Sequence, residues 1–432
     1  MSSRKLSAAF AALLACTALP AMAQTVAITG GKVVVGDGTD PIEGATVLVQ
    51  GGKVVAVGRD VVVPAGVRTV DATGKWVTPG LVVAVTDLGL VDVGAVDESN
   101  DAGANKSPFS AALDISQAIN PDAQPIRISR AGGVTRAAVA PLGTDAIFGG
   151  QGAVIDLGAD PQAVTVPRAF QYVELGETGA ARAGGSRVAT WAELHNALGE
   201  AREIALAPAG ARRNDVLLAR RDAQALVPVV TGKQPLYVHV ERAADIRMVL
   251  NLKKEFPALQ LVIVGATEGW MVAGEIARAG VPVLATPLND LPASFEQLGA
   301  TQSNVGRMKG AGVKVSLGAF FDQPRYAPQY AGNLVALNKV PGATGLSWNQ
   351  AFAAISSGPA EMLGLGERFG SLRPGRAGDV VIWDGDPLEV TSGVTQVFID
   401  GVEQPLSDHQ TRLRDRYRNS PSEGSLPKAY DW

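Results

Sequence analysis

The sequence predicts a mixed α/β fold in which a (β/α)8, TIM-like barrel is inserted into a small composite β-sandwich. Short β-branched runs punctuated by glycine occupy residues 24–79 and return at 370–405. Between them, apolar strands alternate with helical stretches, which is typical of parallel βαβ units. Residues 80–369 also have the length that a barrel needs. A doubly wound open sheet is the alternative.

Composition limits the function classes. The 432-residue chain is 46% hydrophobic and 19% charged, which excludes a disordered chain and allows a large core. Its 38 basic and 42 acidic residues give a net charge of -4, so no basic excess exists to bind nucleic acid. The single cysteine, Cys16, excludes a disulfide framework and a cysteine-built metal site.

Residues 1–23 are predicted to be a secretory signal peptide. The basic pair Arg4-Lys5 precedes the apolar run Leu6–Leu19, and Ala21-Met22-Ala23 forms a small-x-small cleavage site. Cleavage predicts a periplasmic or secreted protein without a membrane span. The alternatives are an uncleaved membrane anchor and a lipoprotein modified at Cys16.

The sequence predicts β-strands near both ends of the mature chain. Gly51-Gly52 lies between two apolar runs and predicts a hairpin. Further strands are predicted at Gly378–Trp383 and Gln396–Gly401. We therefore assign residues 24–79 plus 370–405 to the β-sandwich and 406–432 to a charged C-terminal tail.

Residues 80–369 contain the predicted barrel elements. Apolar runs predict strands at Leu81–Leu88, Val134–Ala140, Phe170–Leu175, Leu236–Val240, Leu261–Val264, Val281–Ala285 and Val313–Leu317. Helices are predicted at Trp191–Ala205, Ala243–Phe256 and Trp348–Leu363. Gly149-Gly150-Gln151 is interpreted as a tight turn that needs a positive φ.

A series of short motifs resembles the amidohydrolase superfamily, and more specifically its secreted, imidazolonepropionase-like members. In chain order they include Val77-Thr78-Pro79-Gly80-Leu81, Ala131–Thr135, Ile147–Gly152, Leu175-Gly176-Glu177, Ala243–Ile246, Gly370–Gly375 and Ala377–Val381. The resemblance implies a metal-bound water that attacks an amide, lactam or related carbonyl. Its ligands are a His-x-His pair after strand 1, a carboxylated Lys or Glu on strand 4, single His residues after strands 5 and 6, and an Asp after strand 8.

The residues at those ligand positions depart from the family pattern. The resemblance places the six positions, in chain order, at Val85, Asp87, Tyr172, His239, Gly265 and Phe320. His239 alone keeps the family's residue, and Asp87 retains a side chain able to coordinate. The full site needs four histidines, whereas the chain has three, His195, His239 and His409. The sequence therefore excludes a normal binuclear centre.

Asp87, His239 and Asp322 remain as candidate catalytic residues. His239 is either a leftover ligand or a strand-end polar residue satisfied by a neighbour. Asp87 either binds a metal or pairs with a cation such as Arg242.

Four more residues bear on whether the site binds a metal or is filled by side chains. Glu241 and Glu268 would add carboxylates to a hard-ligand, mononuclear site. Tyr172 and Phe320 are instead expected to fill the space that metal ions would occupy.

Two functions follow from the resemblance, and the sequence leaves open whether the protein is an enzyme. The first is a non-catalytic periplasmic binding or partner subunit without a cofactor. It would bind a small molecule and assemble with itself or with a related amidohydrolase paralogue. The second is a hydrolase of non-peptide carbon–nitrogen bonds, with one divalent metal such as zinc held near Asp87, His239 and Asp322.

Overall fold

The computed structural model describes residues 25–208, 216–320 and 323–418. The predicted signal peptide with Cys16, the candidate Asp322 and the end of the predicted tail lie outside the described residues. Among the residues that are described, none of the helices combines the length and the apolar character that crossing a membrane requires.

Sixteen strands in the described residues form two eight-stranded sheets. Strands β1 to β5 are Val26–Val33, Ile42–Gln50, Lys53–Gly58, Arg68–Asp71 and Trp76–Pro79. Strands β6 to β13 are Leu81–Thr86, Val134–Val139, Phe148–Asp156, Val164–Glu174, Leu236–Val240, Leu261–Gly265, Val283–Ala285 and Val315–Leu317. Strands β14 to β16 are Val380–Trp383, Val394–Ile399 and Val402–Glu403. The first sheet combines β1–β5 with β14–β16, and the second contains β6–β13.

The first sheet is continuous and branches at β1. This strand pairs antiparallel with β2, and its two halves pair parallel with β4 and β5. Gly51 and Gly52, both with positive φ, connect β2 to β3 in the predicted hairpin. Because β5 pairs with β14, the two ends of the chain share a small core that includes Ile28, Val47 and Phe398.

The second sheet is a nearly closed barrel of eight strands in the order β6 to β13. A parallel bridge between Ala84 and Gly318 connects its two edges, and Ala319 N lies 3.1 Å from Ala84 O. All seven predicted barrel strands are present. The predicted fold class is confirmed, but the barrel is not uniformly parallel because β8 runs antiparallel to β7 and β9.

The interpretation of Gly149-Gly150-Gln151 as a tight turn was wrong, since these residues lie inside β8. Gly150 does have a positive φ of 128°, at an irregularity in its pairing with β9. A Cβ on Gly150 would lie 2.7 Å from the Leu113 carbonyl oxygen. The glycine therefore permits a close backbone approach within a strand.

Twelve α-helices cover the barrel and its surroundings within the described ranges. Helices α1 to α6 are Gln124–Ala131, Gly176–Arg182, Arg187–Leu206, Arg220–Ala225, Val227–Val230 and Ala243–Glu255. Helices α7 to α12 are Ala273–Ala279, Asn304–Gly310, Ala327–Ala336, Trp348–Ala353, Ser357–Met362 and His409–Arg418. The single helix predicted for 348–363 was wrong, because Ser356 leaves the helical region with φ of -136° and ψ of -89°.

An ion-pair cluster centred on the buried Arg136 joins the barrel to the first sheet. Arg136, near the start of β7, donates two hydrogen bonds of 2.7 and 2.9 Å to Asp379, which directly precedes β14. It also lies 2.8 Å from Asp400, in the turn after β15. We call Arg136, Asp379 and Asp400 the junction cluster.

Candidate functional site

The candidate site lies at the C-terminal ends of the barrel strands, which we call the mouth. Side chains alternate along β9 and β10, so Phe170, Tyr172 and Tyr237 fill the barrel interior. Glu174 and His239 are each two residues further along and are aligned across the two strands. They therefore face inward at the mouth, where barrel proteins assemble their sites.

His239 lies between two carboxylates. Its Nδ1 contacts Glu174 Oε1, and its Nε2 lies 3.2 Å from Glu241 Oε1. The exposed fraction is 25% for the His239 side chain but 9% for Glu174 and 5% for Glu241. Carboxylates accept hydrogen bonds, so this arrangement favours the protonated imidazole, in which both ring nitrogens are donors. We call these three residues the mouth cluster.

Opposite charges in the mouth cluster stabilise each other's ionised forms. Burial opposes protonation of His239, but the charge of Glu174 and the hydrogen bonds that the ring donates to both carboxylates raise its pKa well above the ordinary value. Burial alone would raise the pKa of Glu241, yet the contact with His239 holds it below its ordinary value. Glu241 Oε2 also accepts a 2.7 Å hydrogen bond from Thr267 N.

Gly265, the predicted strand-6 ligand position, faces Glu241. Its φ is +89°, and a Cβ built there would lie 2.6 Å from Glu241 Oε1. A histidine at this position would therefore need a strained backbone and a displaced Glu241. The glutamate occupies the space that a strand-6 ligand would use.

Tyr172, the predicted strand-4 position, forms part of the floor beneath the cluster. Its side chain is buried, and burial together with the charge of Glu174 raises the pKa of its hydroxyl well above the ordinary value. Below it, Phe170 and Tyr237 stack with ring centroids 4.2 Å apart. Aromatic rings therefore fill the barrel under the mouth.

Val85 and Asp87, the predicted strand-1 positions, lie across the barrel from His239. Strands β6 and β10 are four strands apart in either direction around the barrel, so the two sets occupy opposite walls. Asp87 is half-buried just beyond β6. Arg242, the suggested partner of Asp87, forms an ion pair of 2.7 Å with Asp245 instead.

The carboxylate of Glu268 accepts hydrogen bonds from backbone N–H groups. Its two carboxylate oxygens accept hydrogen bonds from Ala243 N at 2.9 Å and from Gly299 N at 3.0 Å. It thus holds the first residue of α6 in place rather than presenting a free carboxylate to the mouth.

Phe320, the predicted strand-8 position, stacks on Tyr330 of α9 at 5.7 Å and belongs to the cluster formed with the outer helices. The expectation that Phe320 fills the ligand space stays a prediction. Of the other two histidines, His195 pairs with Glu255 on α6 and His409 begins α12.

Glu174 is the residue that the sequence reasoning missed. The alternation Phe170, Tyr172, Glu174 on β9 places it on the same inner face as the predicted ligand position. That period of two, continued one step beyond Tyr172, was the signal that would have found it.

The side chains at the predicted ligand positions do not fit a binuclear metal centre. Val85, Gly265 and Phe320 offer no donor atom, and both nitrogens of His239 face carboxylates. Within residues 25–208, 216–320 and 323–418, no group of three or more His, Cys, Asp or Glu is arranged to hold a metal ion.

Known proteins resemble this chain in both sequence and fold. A model of the amidohydrolase family matches residues 235–403. An amidohydrolase from Thermotoga maritima MSB8 is 26% identical and superimposes with a TM-score of 0.77, over 88% of this chain and 99% of that one. The chain belongs to the amidohydrolase superfamily.

Two further matches are a longer protein and a structure of lower sequence identity. Amidohydrolase tasK from Hapsidospora irregularis is 26% identical over 388 residues, which span 79% of this chain but 38% of tasK. The structure of molinate hydrolase covers 95% of this chain and 99% of its own, at 18% identity and a TM-score of 0.55. That last likeness concerns the fold.

Proposed function

We propose that this protein is a ligand-binding, non-hydrolytic member of the amidohydrolase superfamily. The observation that carries the proposal is His239, whose two ring nitrogens both face carboxylate oxygens in the mouth cluster. A metal ion binds the neutral imidazole through a free nitrogen lone pair, and a doubly protonated ring offers none. The metal-bound water that superfamily hydrolysis requires then has no imidazole to support it.

The backbone at the mouth supports ligand recognition there. Val85, Ala266 and Ala319 have positive φ values of 59°, 53° and 60°, and each lies at or just beyond the end of a barrel strand. Such strain is unfavourable for residues with a Cβ and is commonly retained where it shapes a binding site. His239, a quarter exposed, presents its charge to the same space.

The proposed setting is the periplasm, following the predicted signal peptide. A second copy of the chain or a related amidohydrolase paralogue is the proposed partner. The proposed ligand is a small polar molecule, since the mouth cluster provides both acidic groups and a cation.

Metal content tests the proposal. The purified mature protein is incubated with zinc, manganese and iron, desalted, and measured by inductively coupled plasma mass spectrometry. We expect less than about a tenth of an equivalent of any metal, and no change in His239→Gln. The wild-type protein should hydrolyse lactams, amides and acylated amino acids no faster than the His239→Gln variant does.

The opposite result would establish the altered-site hydrolase. Close to one equivalent of metal, lost in His239→Gln or Asp87→Asn, together with hydrolysis that depends on the same residues, contradicts the proposal. Asp60→Asn is the matched control, because Asp60 is exposed and lies outside the barrel.

A further inference from the structure

A second concave site lies on the outer wall of the barrel. It is a cavity of about 770 Å³, within the range of small-molecule pockets. Its lining comes from the segment that precedes α1, from β8 and β9, and from α4 and α5. Arg168, which lines it, precedes Glu174 on β9 by six residues, or about 20 Å of extended strand. The cavity is thus separate from the mouth.

The walls of this cavity are held together by buried hydrogen bonds. Asp222, at the start of α4, accepts bonds from Ser110 N at 3.0 Å and Ala112 N at 2.8 Å. The Leu113 carbonyl accepts a 2.7 Å bond from Gln151 N of β8. These contacts fix the wall segment against both α4 and the barrel. The cavity therefore exists before a ligand arrives, which lowers the entropic cost of binding.

The cavity carries a positive charge. Arg168 and Arg221 both line it, and the only acidic side chain among its described lining residues is Asp114. Asp114 lies 3.7 Å from Arg168 Nε, so the guanidinium keeps most of its hydrogen-bonding capacity. Arg168 also has a φ of 49°, an unfavourable conformation for a residue with a side chain.

Amide groups and apolar side chains complete the lining. Gln151 is buried, and its Oε1 lies 3.4 Å from Gln234 Nε2, which also donates a 2.8 Å bond to the Arg168 carbonyl. Gln234 itself does not line the cavity, and its amide oxygen is buried without a hydrogen-bond partner among the described residues. Phe109, Leu113 and Pro228 supply the apolar surface.

We propose that this cavity is a second ligand site, which binds a small organic carboxylate with an apolar body through Arg168 and Arg221. Guanidinium groups match the planar geometry of a carboxylate and form charge-assisted hydrogen bonds with it. The apolar body packs against Phe109 and Pro228. The inference is independent of the function proposed for the mouth.

A matched pair of probes tests the site. N-acetyltryptophan carries a carboxylate, whereas N-acetyltryptophanamide has the same shape without the charge. We expect saturable binding of the acid by isothermal titration calorimetry, and binding at least about tenfold weaker for the amide. Arg168→Gln and Arg221→Gln should each weaken binding of the acid by about tenfold.

Two further variants locate the binding. Arg220→Gln changes the neighbouring exposed arginine of α4, which does not line the cavity, and should leave the affinity unchanged. His239→Gln should also leave it unchanged, since His239 belongs to the mouth. Absence of saturable binding, equal affinity for the amide, or a loss in either of these two variants would overturn the proposal.

Discussion

Two clusters in this protein hold a cation among carboxylates, one where the barrel meets the first sheet and one at the mouth. In the junction cluster the cation is an arginine, and its side chain is 5% exposed. In the mouth cluster it is a histidine, which is 25% exposed. Arginine stays charged at every pH that a folded protein tolerates, whereas histidine loses its proton.

The choice of cation matches the role of each cluster in the fold. The junction cluster connects two sheets and must hold under all conditions, so a permanent bidentate cation suits it. The mouth cluster lies where the fold builds binding sites, and its cation is accessible and titratable. Four predictions test whether the two clusters differ in this way.

Removing the arginine should have the largest effect. Arg136→Met leaves Asp379 buried without its cation, so we expect the free energy of unfolding to fall by about 3–5 kcal/mol. Urea denaturation followed by circular dichroism measures it. The control is Arg127→Met, which removes an exposed pair with Asp122 and should cost less than about 1 kcal/mol. Equal costs would contradict a structural role for the junction cluster.

The next prediction concerns pH at the junction. Burial raises the pKa of Asp156, which faces Arg136 at 3.8 Å, to about 6. Between pH 4 and 6 the folded chain retains a proton that the unfolded chain has released, so stability falls as pH rises. Asp156→Asn should remove this fall and raise the free energy of unfolding at pH 7 by about 1–3 kcal/mol. The same substitution at exposed Asp60 should do neither.

At the mouth, stability should fall with pH in a higher range. The pKa of His239 is raised, so its ion pairs contribute fully below the unfolded value, near 6.5. Above that pH only the folded chain keeps the proton, and the free energy of unfolding should fall by about 1.4 kcal/mol per pH unit until the folded pKa. Denaturation from pH 6.5 to 8.5 measures the slope, and His239→Gln should abolish it. An unchanged slope in this variant would exclude the protonated mouth cluster.

The smallest expected change in the free energy of unfolding tests whether Glu241 fills the space beside Gly265. Gly265→Ala should lower the free energy of unfolding by about 1–2 kcal/mol more than Gly280→Ala. Both glycines have positive φ, but an added Cβ meets Glu241 at Gly265 and nothing within 4 Å at Gly280. In a Glu241→Ala background this excess should disappear. If it persists, another contact opposes the alanine.

The fold was predictable because most strands have a recognisable local sequence pattern. Leu236, Val238 and Val240 alternate with Tyr237 and His239, so β10 could be recognised from its pattern. Strand β8 could not, because Gly149, Gly150 and Gly152 mimic a turn. Its strand conformation depends on the distant partners β7 and β9, which only the folded chain brings together.

The site was predictable only in part. The resemblance located His239 and Gly265, but what faces them depends on tertiary contacts. Glu174 becomes a partner of His239 through the register of β9 and β10. Phe320 meets its stacking partner Tyr330 only in the folded chain. Spacing along the chain does not encode either contact.

The branched sheet has a consequence for biosynthesis. Strand β5 is made early, but its partner β14 lies some 300 residues later, so the sheet closes only once that long intervening segment is also available. Until then β5 exposes an unpaired edge, which invites association with other chains. We therefore expect truncation before Val380 to give aggregated rather than shortened folded protein, and chaperones to act on the nascent N-terminal strands.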